Sequence, residues 1–106
     1  MATSRNGMIL VIDDEEVMRD ILETLLKREG YEVRFASSGE EGLELARSIP
    51  FDAALVANMM PGLNGIETLD ELKRLDEDLA VVIITAYASV ESAIAAMKNG
   101  AFDYIT

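Results

Sequence analysis

The chain has 106 residues, half of them hydrophobic, and 20 acidic against 9 basic side chains give it a formal charge of −11. That length suits one domain able to bury roughly two thirds of its unfolded surface, and the acidic surface repels phosphate backbones, which argues against direct nucleic-acid binding. Cysteine and histidine are both missing, which excludes disulfides, thiolate metal sites and the commonest general base and leaves hard, oxygen-bound cations such as magnesium as the metals to consider.

No apolar run is long enough to span a bilayer. The N-terminal MATSRNG has no signal-peptide core. A cytoplasmic protein without membrane contact is the expectation.

MILVI (8–12) is an uninterrupted apolar run, the pattern of a strand covered on both faces. After DDEE (13–16), Val17, Met18, Ile21, Leu22, Leu25 and Leu26 recur at helical spacing, and Gly30 stands where a C-terminal cap belongs. YEVRFA (31–36) alternates like a strand with one wetter face. Ser38 and Gly39 open a second helix to about Ser48, carrying Leu43, Ala46 and Ile49, and Pro50 ends it. FDAALVA (51–57) predicts a third strand and MPGLNG (60–65) a turn.

Ile66, Leu69, Leu72 and Leu75 give a third helix its buried stripe, with Asp70 and Arg74 spaced to pair on its wet side. Residues 76–78 are a polar turn, and AVVIIT (80–85) is a fourth strand. Ser89 is placed to cap a fourth helix in which Val90, Ala93, Ile94 and Met97 face inward and Gly100 ends it. AFDYI (101–105) is a fifth strand.

Strands alternating with helices imply a parallel α/β sheet with right-handed crossovers and helices on both faces. In such sheets the site lies beyond the carboxyl ends of the strands. The residues to weigh there are Asp13, Asp14 and Glu15, then Ser37 and Ser38, then Ala57, Asn58 and Met59, then Thr85, Ala86 and Tyr87.

Adjacent carboxylates repel unless they are solvated, sit at a helix N-terminus or share a cation. From the residues alone, Asp13 as helix N-cap with Glu16 at the third position stands level with a metal site. Thr85 is either an ordinary strand residue or a ligand hydroxyl, with the small Ala86 leaving room beside it. Tyr104 reads as an amphipathic ring at a sheet edge. Asp52 reads as structural, and the acids at 40–41, 70–71 and 76–78 as solvated faces.

ILVIDDEE, LVANMMPGLNG, VVIITAYAS and GAFDYIT follow one another in order across residues 8–106. In these segments the chain resembles the receiver domain of bacterial two-component response regulators. AYASVESAIAAMKNGAFDYIT is most similar to receivers of NtrC-like enhancer-binding transcription activators. The resemblance implies a flavodoxin-like, doubly wound five-stranded parallel sheet of order 2-1-3-4-5. It implies a signalling module rather than an enzyme, phosphorylated by a histidine kinase on an aspartate at the end of the third strand to control a transcription output domain.

The same resemblance implies Asp14 as a direct magnesium ligand, Asp13 as holder of the metal's water shell and the Met59 carbonyl as a further ligand. Thr85 would bond the phosphoryl group with Ala86 beside it, and Tyr104 would be the aromatic switch that turns inward on activation. The acceptor position falls on Ala57. A methyl group accepts no phosphoryl group, so phosphorylation is expected to be lost and magnesium binding weakened. Removing a carboxylate also relieves like-charge repulsion, so an Ala57→Asp chain is expected to be less stable without divalent cation.

In the resembled family a lysine and a final helix follow the point where Thr106 stands, so residues 1–106 are expected to be a receiver domain truncated at its C-terminus. The apolar surface of the fourth and fifth strands would then stay open and favour a homodimer or other self-association. Two alternatives accompany this expectation. One is a natural pseudo-receiver acting as a phosphorylation-independent protein-interaction module. The other is a magnesium-dependent phosphatase using Asp13 as nucleophile, against which Glu15 and Val17 occupy positions where that chemistry wants a further carboxylate and a threonine. The acidic first turn disfavours a nucleotide or flavin module.

Overall fold

The computed structural model describes residues 7–58, 62–85, 94, 96–98 and 100–105. β1 (Gly7–Ile12), β2 (Tyr31–Ala36), β3 (Ala53–Ala57), β4 (Ala80–Ile84) and β5 (Asp103–Ile105) form one sheet in the order β2-β1-β3-β4-β5. Every pairing in it is parallel. α1 (Glu16–Arg28), α2 (Gly39–Ser48) and α3 (Gly65–Leu75) lie between successive strands, and residues 94 and 96–98 are helical. The expected flavodoxin-like order is the one observed.

The strands of β1 and β3 are apolar on both faces because each face has its own core. Leu10, Ile12, Ala54, Val56, Val81 and Ile83 pack with Leu43 of α2 and Leu69 and Leu72 of α3. Ile9, Val11 and Val33 pack on the other face with Leu22 and Leu26 of α1. Alternate side chains of one strand thus enter different cores, and MILVI has no polar position because neither face of β1 meets water.

The apolar residues of α1 divide between two directions. Glu16, Arg19, Asp20 and Glu23 border a cleft with Phe35, Ala36, Ser37 and Glu41 at the β2 edge, while Leu22 and Leu26 meet the sheet. By helical geometry Val17, Ile21 and Leu25 lie on the opposite flank, towards β3. They are 71, 48 and 49% exposed. Among the described residues, α1 is the one helix on this face.

The capping chemistry explains most element ends. Gly30 and Gly100 adopt φ of 92° and 95°, and their N–H groups close back on the Lys27 and Met97 carbonyls, as expected of C-terminal caps. Ser38 accepts from the Glu41 N–H. Asn64 and Glu67 form a reciprocal capping box at the start of α3. The expected Arg74–Asp70 pair forms at 3.3 Å.

Several expectations need correction. Asp13 is not the N-cap of α1 and Glu16 is not its third residue: the cap position is Glu15, and no side chain caps it. β3 begins at Ala53: Phe51 is buried in the core, and Asp52 donates its N–H to the Met8 carbonyl at 2.9 Å while its side chain, in place of a backbone carbonyl, accepts the Met8 N–H at 2.8 Å. β5 begins at Asp103, since Ala101 is drawn into the core.

Leu75, Ile94 and Met97 are exposed rather than inward, and Thr68 and Ala96 are buried in their regions instead. Leu75 lies on the last turn of α3, past the part of the helix that crosses the sheet. Ser89, Val90 and Ala93, along with Met59, Ala86, Tyr87 and the side chain of Tyr104, lie outside the described residues.

Candidate functional site

The register of the sheet brings the ends of β1, β3 and β4 together. Ile12 is level with Val56, so Asp13 and Ala57, each one residue further, share the next level. Ala57 is level with Ile84, and Thr85 follows directly. Backbone bonds extend this edge past the strands: the Asn58 N–H donates to the Ile84 carbonyl, and the Thr85 N–H to the Ile105 carbonyl, both at 3.0 Å.

Asp13 is buried, 7% exposed. Its N–H continues the ladder to the Ala36 carbonyl, and its Oδ1 accepts the Glu15 N–H at 2.9 Å. Burial pushes its carboxyl above the ordinary value. The Glu15 N–H opposes that rise, the charges of Asp14 and Glu15 add to it, and Arg19 opposes it more weakly. Arg19 reaches back from α1, its Nη1 donating to the Asp13 carbonyl at 3.0 Å. Asp14 is exposed beside it, and Thr85 is buried at 6%.

Two carboxylates at a strand end, one buried and one open, suit a hard cation that keeps several waters and takes one or two protein carboxylates. Among the described residues no group of three or more acids is gathered as a metal cage. At residue 57, on the same edge, stands a half-buried methyl group.

The residue after β3 is tied to the start of α3. The Gly65 N–H donates to the Asn58 carbonyl at 2.9 Å. A β-carbon on Gly65 would lie 2.6 Å from Asn58 Cα and 2.7 Å from the Ala57 carbonyl oxygen. Glycine is therefore required at the start of α3 by contact with the end of β3.

The acids at 40–41 were expected to be solvated only. Both are exposed, yet both hold backbone. Ser37 donates its N–H at 2.6 Å and its hydroxyl at 3.0 Å to Glu41 Oε1, and these bonds, the N–H foremost, hold the Glu41 carboxyl below its ordinary value. The Leu63 N–H donates to Glu40 Oε2 at 3.3 Å. Sequence reasoning missed Arg19, Glu40 and Gly65. The spacing of Ser38 and Glu41 signals a helix cap, but the partners of Arg19 and Glu40 are set by the chain's path.

Comparison with known proteins agrees with the sheet. The model of the response regulator receiver domain matches residues 9–106. The transcriptional regulatory protein ZraR of Escherichia coli K12 is 45% identical over 103 residues, covering 97% of this chain and 23% of that protein; this chain thus spans about a quarter of the relative's length.

A response regulator from Burkholderia pseudomallei, solved with a phosphorylated aspartic acid, a calcium ion and citrate, superposes with a TM-score of 0.89 at 35% identity, covering 94% of this chain and 59% of that one. TrrA of Thermotoga maritima, in complex with Mg(2+)-BeF, gives 0.85 at 33% identity over 93% and 84% of the two chains. The chain belongs to the response regulator receiver domain family, and its likeness is to the NtrC-like transcription activators.

Proposed function

We propose that this chain is a receiver domain, spanning residues 1–106, whose phosphoryl-transfer site is laid out but silent at residue 57. The observation that carries the proposal is the shared level of Asp13 and Ala57 at the carboxyl edge, with Thr85 next to them. Asp14 binds magnesium directly, Asp13 orders the metal's waters, and the Met59 carbonyl supplies a further oxygen. Thr85 and Ala86 border the phosphoryl position, and Tyr104 is the switch residue. Magnesium, when bound, neutralises charge on a transferring phosphoryl group.

The chain's own residues prepare that edge. Arg19 holds the Asp13 carbonyl, and the Glu15 N–H fixes the direction of the Asp13 carboxylate. An acceptor at residue 57 would be presented between Asp13 and Thr85. Alanine there has no lone pair to attack phosphorus, so histidine-kinase signalling stops at this residue. In the longer proteins of this kind, phosphorylation shifts a two-state equilibrium read by a transcription output domain. This chain is accordingly not an enzyme. It acts in the cytoplasm as a locked module that contacts proteins rather than nucleic acid.

The exposed flank of Val17, Ile21 and Leu25 favours a second reading beside the first, a phosphorylation-independent interaction surface that includes self-association. A magnesium titration followed by the amide signals of Asp13 and Asp14 tests the cation site. Weak saturable binding is expected, tightened roughly tenfold by Ala57→Asp because the ligand charge increases. Absence of any response in both chains would overturn the proposed site.

A further inference from the structure

The turn from β1 into α1 carries both carboxylates of the proposed cation site, and its successive peptide units are tied by different groups. The Asp13 N–H donates to the Ala36 carbonyl at 3.0 Å, continuing the sheet ladder. The Asp13 carbonyl, on the next unit, accepts from Arg19 Nη1 at 3.0 Å. The Glu15 N–H, on the unit after that, donates to Asp13 Oδ1 at 2.9 Å. The Asp14 Cα therefore sits between two tied peptide units, one held by Arg19 and the other by Asp13.

No side chain caps α1, so these bonds decide how the chain leaves the strand. Arg19 closes on the turn twice. Its N–H donates to the Glu15 carbonyl at 3.1 Å, and its guanidinium returns to the Asp13 carbonyl in a partly buried bond. Glu16, Asp20, Glu23 and Glu41 border the same cleft as Arg19, and their charges favour a guanidinium there. Arginine keeps its charge and its planar fork of donors at every working pH. Because a peptide unit turns as a plane, rotating the one between Asp13 and Asp14 would take its carbonyl off Arg19 and change φ of Asp14. That angle sets the direction in which the exposed Asp14 carboxylate leaves the turn.

We infer that Arg19 is a positioning residue for the cation site: by holding the peptide between Asp13 and Asp14 it aims the Asp14 carboxylate. The effect on cation binding rests on the proposed receiver site, in which Asp14 is the direct ligand. The clamp itself rests only on the bonds of residues 13, 15, 19 and 36. A guanidinium near a divalent cation also repels it, so positioning and charge act on cation affinity with opposite signs. That opposition makes them separable.

Magnesium titration and amide hydrogen exchange of the same samples separate them. Arg19→Met keeps an apolar stem and removes both donor and charge. Its magnesium affinity is expected to fall about threefold, a loss of ligand orientation partly offset by the lost repulsion. Arg19→Lys keeps a donor and the charge and is expected to fall between Arg19→Met and the parent. In Arg19→Met the Glu15 amide is expected to exchange about fivefold faster as the turn loosens, while the Asp13 amide, held in the ladder to Ala36, changes less.

Glu15 exchange that stays constant, or that rises only in step with Asp13, overturns the clamp. Magnesium affinity that is unchanged or higher in Arg19→Met overturns the positioning role and leaves Arg19 a simple charge. A parent chain that ignores magnesium overturns the proposed cation site, and with it the positioning role, while Glu15 exchange alone decides the clamp.

Discussion

Gly65 rests on Ala57 so closely that a β-carbon added to the glycine would stand 2.7 Å from the alanine's carbonyl oxygen. The obstacle is backbone at the end of a strand paired on both sides, and it has no rotamer by which to yield. Gly65→Ala is predicted to cost about 2–4 kcal/mol, in the range of overpacked sites. Gly42→Ala meets the flexible end of Ile12 instead and should cost less. Urea denaturation of the two variants checks the order, and equal losses would contradict it.

Thr68 of α3 is fully buried, and among the described residues its hydroxyl has no hydrogen-bond partner. A buried hydroxyl without a partner loses its water and gains nothing in exchange. Thr68→Val keeps the shape and removes the polar atom. It is expected to raise stability by about 1 kcal/mol, read as a higher denaturation midpoint with an unchanged slope. A loss of stability would mean that the hydroxyl is satisfied.

Asp13 gives the site a pH signature. Burial holds its folded carboxyl above the ordinary value of 3.8, so the folded state binds that proton more tightly than the unfolded state. The stability it contributes is fully present below the unfolded value and is lost as pH rises through the higher folded value. Asp13→Asn keeps an oxygen for the Glu15 N–H and carries no charge. In chelator it is predicted to melt above the parent chain at about pH 7, with the gap closing towards about pH 4. The same crowding places Ala57→Asp below the parent in chelator at neutral pH. Thermal melts with the reverse order would contradict both.

Val17, Ile21 and Leu25 form an apolar flank on the one described helix of their sheet face. Such a surface drives association. Sedimentation is predicted to show reversible self-association at micromolar concentration, weakened by Ile21→Lys with little change in melting temperature. A monomer throughout that range, or a variant that associates equally, would contradict the role given to this flank.

The sheet was readable in the sequence because apolar runs at β1 and β4 and alternation at β2 leave little choice of strand, and Gly30, Gly100 and Asn64 carry their own conformational instructions. The faces of helices were less readable. Spacing placed Val17 and Leu22 in one apolar set, and only the position of α1 over β1 and β2 decides that Leu22 is covered while Val17 is not. Leu75 has the right period and a place one turn too late.

At the carboxyl edge of the sheet, Asp13, Asp14, Ala57 and Thr85 could be placed from their positions at the strand ends. The ties that arrange that edge could not. Glu40 looks in sequence like any charge on a wet helix face, and its bond from the Leu63 N–H joins residues 23 apart in the chain. Arg19 likewise finds the Asp13 carbonyl by a helical return that periodicity does not reveal.

The central claim is that the phosphoryl site is silent because residue 57 is alanine. Intact mass after incubation with acetyl phosphate and magnesium tests it directly, with this chain and Ala57→Asp side by side. The prediction is no added phosphoryl group on this chain and one acid-stable, base-labile phosphoryl group on the variant, located at residue 57. A phosphoryl group appearing on the unaltered chain, at Asp13, Asp14 or elsewhere, would contradict the account.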